Sequence, residues 1–231
     1  MEAKKEELII TREWLEKNGA YEDDIQDFKQ HFPNGGEALE VLKRCEELDY
    51  KSFAKWLVDH LPPIYSPLEL NTLIGSLFYP NDVHIKGDIY TQGVIRIKGS
   101  LKVDGKLTVD IFGEVYSDKG CVNADEIYIS GDTYIRARIK ANPIIMSGRT
   151  DIQSNVVANS ISLRGSAEIF GHTKAKVINF KDGRIWGNVD ADEIINDGGT
   201  IWGNVNTIKI QNINGGMVYG KITYKRSDEH K

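Results

Sequence analysis

A chain of 231 residues that is 40% hydrophobic and 27% charged has the composition of a folded, water-soluble protein, which excludes a disordered chain. Residues 1 to 80 hold 9 Lys+Arg against 16 Asp+Glu and the rest 20 against 18, so the formal charge of -5 arises in the N-terminal part. No concentrated basic surface is left for phosphate, which argues against nucleic acid as a ligand.

Cys45 and Cys121 stand far apart, so they offer no disulfide framework and fit a reducing compartment. The opening Met1 to Glu7 lacks the apolar stretch of a signal peptide, and no window approaches the roughly 18 apolar residues of a membrane helix. A cytoplasmic protein without membrane contact is expected.

Helical signals come first. Thr11 caps a helix carrying Trp14 and Leu15, which Asn18-Gly19 ends. A second helix over Glu22 to His31 places Glu22, Asp23 and Asp24 at its positive end. Leu39, Leu42, Cys45 and Leu48 mark a third, and Phe53, Trp56 and Leu57 a fourth that stops before Pro62-Pro63. Ser66-Pro67-Leu68-Glu69 is a capping box with proline at the first helical position, so a fifth, apolar helix is expected to about Phe78, covering the end of the repeat region.

From Asp82 alternation replaces helical spacing, and glycines recur as Gly87, Gly99, Gly113, Gly131, Gly148, Gly165, Gly183, Gly199 and Gly216. Most steps between them are about 17 residues, and the second residue after each is apolar or small, as in Ile89, Val115, Ile185 and Ile201. Ile185-Trp186-Gly187-Asn188-Val189 recurs as Ile201-Trp202-Gly203-Asn204-Val205. A unit this short buries nothing alone, but as one coil of a β-helix it pairs with coils above and below. The expected fold is α+β and mainly β: an acidic helical domain over 1–64, a capping helix and linker over 65–81, a β-helix (β-solenoid) of about 17-residue coils over 82–224, and a charged tail over 225–231.

The run Ile85-Lys86-Gly87-Asp88-Ile89 and Ile97-Lys98-Gly99-Ser100-Leu101-Lys102-Val103-Asp104-Gly105 resembles the bactofilins, bacterial polymer-forming cytoskeletal proteins. The resemblance spans residues 82 to 224 and implies a right-handed β-helix, no nucleotide and self-association through coil ends. The helical opening and the charged end from Tyr224 to Lys231 depart from that pattern and argue against endless polymerisation. Segments around Glu13-Trp14-Leu15-Glu16-Lys17-Asn18-Gly19 and Lys55-Trp56-Leu57 are similar to the openings of uncharacterised phage and prophage proteins. That likeness implies a phage-infected bacterial cell as an alternative setting.

Chemistry is sparse. His31, His60, His84, His172 and His230 lack metal-ligand spacing, and no nucleotide loop, nucleophile elbow or zinc-protease motif occurs, so neither metal nor cofactor is expected. His84 and His172 would serve a β-helix acyltransferase, but the strict hexapeptide period of those enzymes is missing. Asp190, Asp192 and Glu193 read as decoration of a turn. What rises above background is the third residue after each glycine, an outward column containing Tyr90, Tyr116, Tyr134, Trp186, Trp202 and Tyr219. Trp186, Trp202 and Tyr219 are expected to form a protein-binding strip, with Tyr90, Tyr116 and Tyr134 as further protein-binding candidates; the plainer alternative packs the first block under the helices and stacks the second ring over ring. The pattern points to a non-catalytic binding or assembly protein forming a homodimer or small homo-oligomer and holding another protein. The alternative is a phage accessory protein that inhibits a host defence protein by direct binding.

Overall fold

The computed structural model describes residues 8–226 and, within them, every side chain but those of Asp118 and Lys119. The expectations for Met1 to Glu7 and for the tail from Ser227 lie outside the described residues.

The opening is a four-helix module, as its caps and spacing predict: α1 (Arg12–Lys17), α2 (Glu22–His31), α3 (Ala38–Glu47) and α4 (Lys51–His60). The Thr11 hydroxyl accepts from the Trp14 amide at 3.2 Å, and Glu37 caps α3 by accepting from the amides of Leu39 and Glu40. Two short strands, Ile9–Ile10 and Gly36–Glu37, pair antiparallel and tie the start of the module to the head of α3. Ile10, Leu15, Ile25, Phe28, Val41, Leu42, Leu57 and Val58 form its core.

From Leu68 to Tyr224 the chain is one β-solenoid whose strand segments pair in parallel, each coil with the next. Coils 1 to 9 cover residues 68–79, 83–97, 101–116, 122–135, 139–152, 156–169, 173–185, 189–201 and 205–218, and strand Ile222–Tyr224 begins a tenth. Three strand segments per coil give three faces, each with its own inward file. On the first face the file runs Leu68, Val83, Leu101, Val122, Ile139, Val156, Thr173, Val189, Val205, Ile222. The second holds Leu73, Ile89, Leu107, Ile127, Ile144, Ile161, Ile178, Ile194 and Ile210. The third holds Leu77, Ile95, Val115, Ile135, Ile152, Ile169, Ile185, Ile201 and Val218. Nearly every interior member is fully buried, and each buried Ile, Leu or Val contributes about 2 kcal/mol of apolar transfer. Stacking supplies the partner surface that a single coil lacks.

Two expectations are corrected here. Residues 66–78 are not a helix: strands Leu68–Leu70, Leu73–Ile74 and Leu77–Tyr79 form coil 1. The open edge of coil 2 offers hydrogen bonds that outweigh the local capping signal. The Leu68 amide donates to Asp82 O, Lys86 N to Leu70 O and Gly75 N to Tyr90 O at 2.9–3.1 Å, with Gly75 turning the corner at φ +97°. The solenoid therefore starts at 68, and the module, not a fifth helix, covers its N-terminal coils.

The nine glycines do not keep one register either. Gly87 and Gly99 stand at other corners, so Ile89 belongs to the second face while Val115, Ile185 and Ile201 share the third. Further on, Gly165 pairs with Asp182 rather than Gly183, because an irregularity comes after Gly165 and Ile169 meets Ile185. Across that bulge the register slips by one residue, from an offset of 17 at Gly165 and Asp182 to one of 16 at Glu168 and Arg184.

A candidate aromatic contact face

The third face has two outward columns, which flank the inward file. One reads Val94, Glu114, Tyr134, Asp151, Glu168, Arg184, Thr200, Met217; the other reads Phe78, Arg96, Tyr116, Arg136, Gln153, Phe170, Trp186, Trp202, Tyr219. In the second column Gln153, Phe170, Trp186, Trp202 and Tyr219 each come directly after their coil's inward Ile or Val.

The helical module sits on the first three coils of this face. Phe78 and Val94 are buried in its core, and Tyr116 packs against it. Arg96, almost buried, donates through Nε to Asp59 Oδ1 of α4 at 2.9 Å, and Lys55 of α4 pairs with Glu114. Lys55 and Arg96 also lie over the Tyr116 ring at 5.0 and 5.2 Å. Burial, then the neighbouring Glu114, pushes the Tyr116 hydroxyl up to about 12.

The same column re-emerges uncovered at coils 6 to 9. Phe170, Trp186, Trp202 and Tyr219 are 41%, 40%, 42% and 58% exposed. Their rings stack face to face, with centroids 6.0, 5.2 and 4.3 Å apart and planes within 9°. A strand repeat of about 4.8 Å sets that spacing and holds the rings at no extra ordering cost. Trp186 is pinned: its Nε1 donates to Glu168 Oε2 at 2.8 Å, while Arg184 donates to Glu168 Oε1 at 2.5 Å. After each ring comes a glycine, in the file Gly171, Gly187, Gly203, Gly220, where a Cβ would run into the backbone of the coil below.

The structure thus unites Trp186, Trp202 and Tyr219 and adds Phe170. It separates the other three candidates. Tyr116 lies beneath the module, with its ring 5.5 Å from that of Tyr134. Tyr134 belongs to the neighbouring column and donates to Gln153 Oε1 at 2.6 Å. Tyr90 is on the second face, paired with Ile74 and Thr108, and accepts from Gln92 at 2.5 Å. Phe170 was findable: Ile169-Phe170-Gly171 and Val218-Tyr219-Gly220 repeat the pattern of Ile185-Trp186-Gly187.

A model of the bactofilin family, described as polymer-forming cytoskeletal, matches residues 78–185, from the last strand of coil 1 to the end of coil 7. The solenoid is a bactofilin-like β-helix. Neither a curated protein nor a solved structure matched the chain significantly. The bactofilin match excludes the helical module and ends just before Trp186, so most of the aromatic stack lies beyond it.

Elsewhere the described residues offer little chemistry. His84 Nε2 lies 2.6 Å from Asp104 Oδ2 and 3.2 Å from Lys102 Nζ, on a charged outward row that includes Glu69 and Lys86. His172 is exposed about five coils away, roughly 24 Å along the axis, so the two histidines share no site. Lys225 is no free tail charge, since it reaches back to Asp190 and Asp192 of coil 8 and clamps the last strand. A cavity of about 540 Å³ lies where module and coil 1 meet, lined by Ile9, Glu37, Leu39, Tyr65 and Tyr79 among others. Of its two carboxylates, Glu37 and Glu40, the first already caps α3 through Oε2. No described helix is long and apolar enough to cross a membrane.

Proposed function

We propose that this chain is a non-catalytic assembly protein that associates with copies of itself, using the bactofilin-like solenoid as a rigid rod. The observation that carries the reading is the exposed stack of Phe170, Trp186, Trp202 and Tyr219. Large aromatics dominate the energetic centres of protein contacts, and four in contiguous register on a rigid sheet need no reordering on binding. The family description, polymer-forming, supports self-association as the mode. The helical module favours a small oligomer over a filament, because its bulk on the third face of coils 1 to 3 restricts how rods can lie side by side.

The test is a mass measurement by light scattering across a concentration series from low to high micromolar. A rise from the monomer mass of 26.0 kDa to a discrete multiple supports the proposal. Monomer throughout overturns it.

A further inference from the structure

Resting on that reading, we infer that the contact is a two-fold, antiparallel pairing of third faces, in which the aromatic stack of one copy meshes with that of a second. Four observations select this occupant and this direction.

The first is periodicity. The exposed rings repeat every 4.3 to 6.0 Å along the rod, presenting ridges with the spacing of stacked coils. A ridged surface of that period interdigitates over its whole length only with another of the same period, as side-chain rows do between paired sheets. A second copy of this face provides one.

The second is charge. Glu168 is neutralised within its own chain by Arg184 and the Trp186 N–H, and the residues beside Trp202 and Tyr219 are Thr200 and Met217. Two such faces meet without a like-charge penalty.

The third is the helical module, which projects from the same face at coils 1 to 3. A face-to-face pair of parallel rods would drive the two acidic modules into one another. An antiparallel pair with its axis between coils 7 and 8 sets Trp186 against the partner's ring at Trp202, and Phe170 against the ring at Tyr219. Coil 9 of one rod then lies over coil 6 of the other, and the final strand over coil 5. The module remains clear, with coil 4 between it and the partner's end.

The fourth is size. At roughly 150 to 250 Å² per ring, the exposed fractions leave about 350 Å² of aromatic surface on each copy. Thr200, Met217, Gln153 and the corner residues enlarge this toward the roughly 800 Å² per partner of a standard interface. A dimer dissociating on the order of micromolar is the result, and because the contact is isologous the assembly closes at two copies.

Pulsed electron-electron distance measurement distinguishes the arrangements. Cys45 and Cys121 are replaced by alanine and serine, and a spin label is placed at the exposed Tyr21→Cys of the module. The antiparallel pairing separates the two modules by about eleven coils, roughly 50 Å along the axis. A distance below about 30 Å would indicate parallel rods, and one near 80 Å a contact between C-terminal ends; either overturns this inference while leaving self-association standing, and a head-to-tail end contact, which also sets the modules about ten coils apart, is told from the face pairing by the lysine variant that follows. A protein monomeric at all concentrations overturns both readings. Trp186→Lys with Trp202→Lys should raise the dissociation constant at least 100-fold with the circular dichroism spectrum unchanged. An unchanged constant in that variant counts against the face. Gln211→Lys, on the second face, serves as the control and should leave it unaltered.

Discussion

Replacing Gly203 by alanine tests why the glycine file beside the aromatic stack exists. An added Cβ would fall inside hard contact with Gly187 O and C and with Asn188 N, all backbone atoms of the corner below. Carbon in ordinary contact stands about 3.5 Å off, so the corner must lift by about 1 Å. That movement strains two bonds joining these coils, Asn204 N to Asn188 Oδ1 at 2.9 Å and Val189 N to Asn204 O at 2.8 Å. Overpacking of about 2 kcal/mol plus about 1 kcal/mol from weakened hydrogen bonds gives a loss of about 3 kcal/mol. Gly215 is the control: it has φ +85° but nothing within 4 Å of its Cβ, so Gly215→Ala carries only the left-handed penalty of about 1 kcal/mol. Urea unfolding followed by circular dichroism measures both. Because each coil touches only its neighbours, the damage should show as early loss of the C-terminal coils and a broadened transition. A Gly203→Ala loss equal to or below that of Gly215→Ala would refute the close-approach explanation.

Other perturbations have equally definite outcomes. Asn196 is fully buried, its Oδ1 has no partner, and its Nδ2 donates to Asn212 at 2.9 Å, so Asn196→Leu should raise stability by about 1 kcal/mol, read as a higher melting temperature. Asp59→Ala removes a charged acceptor from the nearly buried Arg96, and should cost about 1–2 kcal/mol and speed proteolytic release of the helical module. Burial, and then Glu168 and Asp132, raises the Asp151 carboxyl above its ordinary value. A raised group contributes stability in its protonated form, present at low pH and lost as pH climbs through the folded value. Asp151→Asn should therefore melt above the parent at pH 7, with the advantage shrinking toward pH 4; a constant difference would contradict this. Burial pushes the Cys45 thiol up to about 12, so a thiol reagent at pH 8 should modify one cysteine, Cys121, in the folded protein, and two only after denaturation.

The module was legible because its helices carry their own instructions. Thr11 and Asn18-Gly19 act within one turn, and α2 falls where the acidic start at Glu22, Asp23 and Asp24 predicts. The repeat was legible too, since Ile185-Trp186-Gly187 and Ile201-Trp202-Gly203 bring the same side chains to successive coils. Local signals failed at Ser66-Pro67-Leu68-Glu69, where a capping box preceded a strand because the edge of coil 2 supplied a partner for each backbone group. Counting from glycines failed twice: Gly113 stands one residue before Glu114 but Gly131 three before its partner Tyr134, and beyond Gly165 a bulge pairs Glu168 with Arg184, so Tyr134, Asp151 and Glu168 share one column and Phe170 belongs to the other.

Taken by itself, the order of amino acids determined that four helices open the chain, that a stack of coils follows and that tryptophans recur in series, but it set a fifth helix at 66–78, where the first coil lies. Only the tertiary structure decided which coil each residue belongs to and that the stack shares its column with the seat of the helical module. The reason is physical: alternation and caps are properties of neighbouring residues, whereas register is fixed by hydrogen bonds between segments some 17 residues apart, and one bulge re-aims every side chain beyond it.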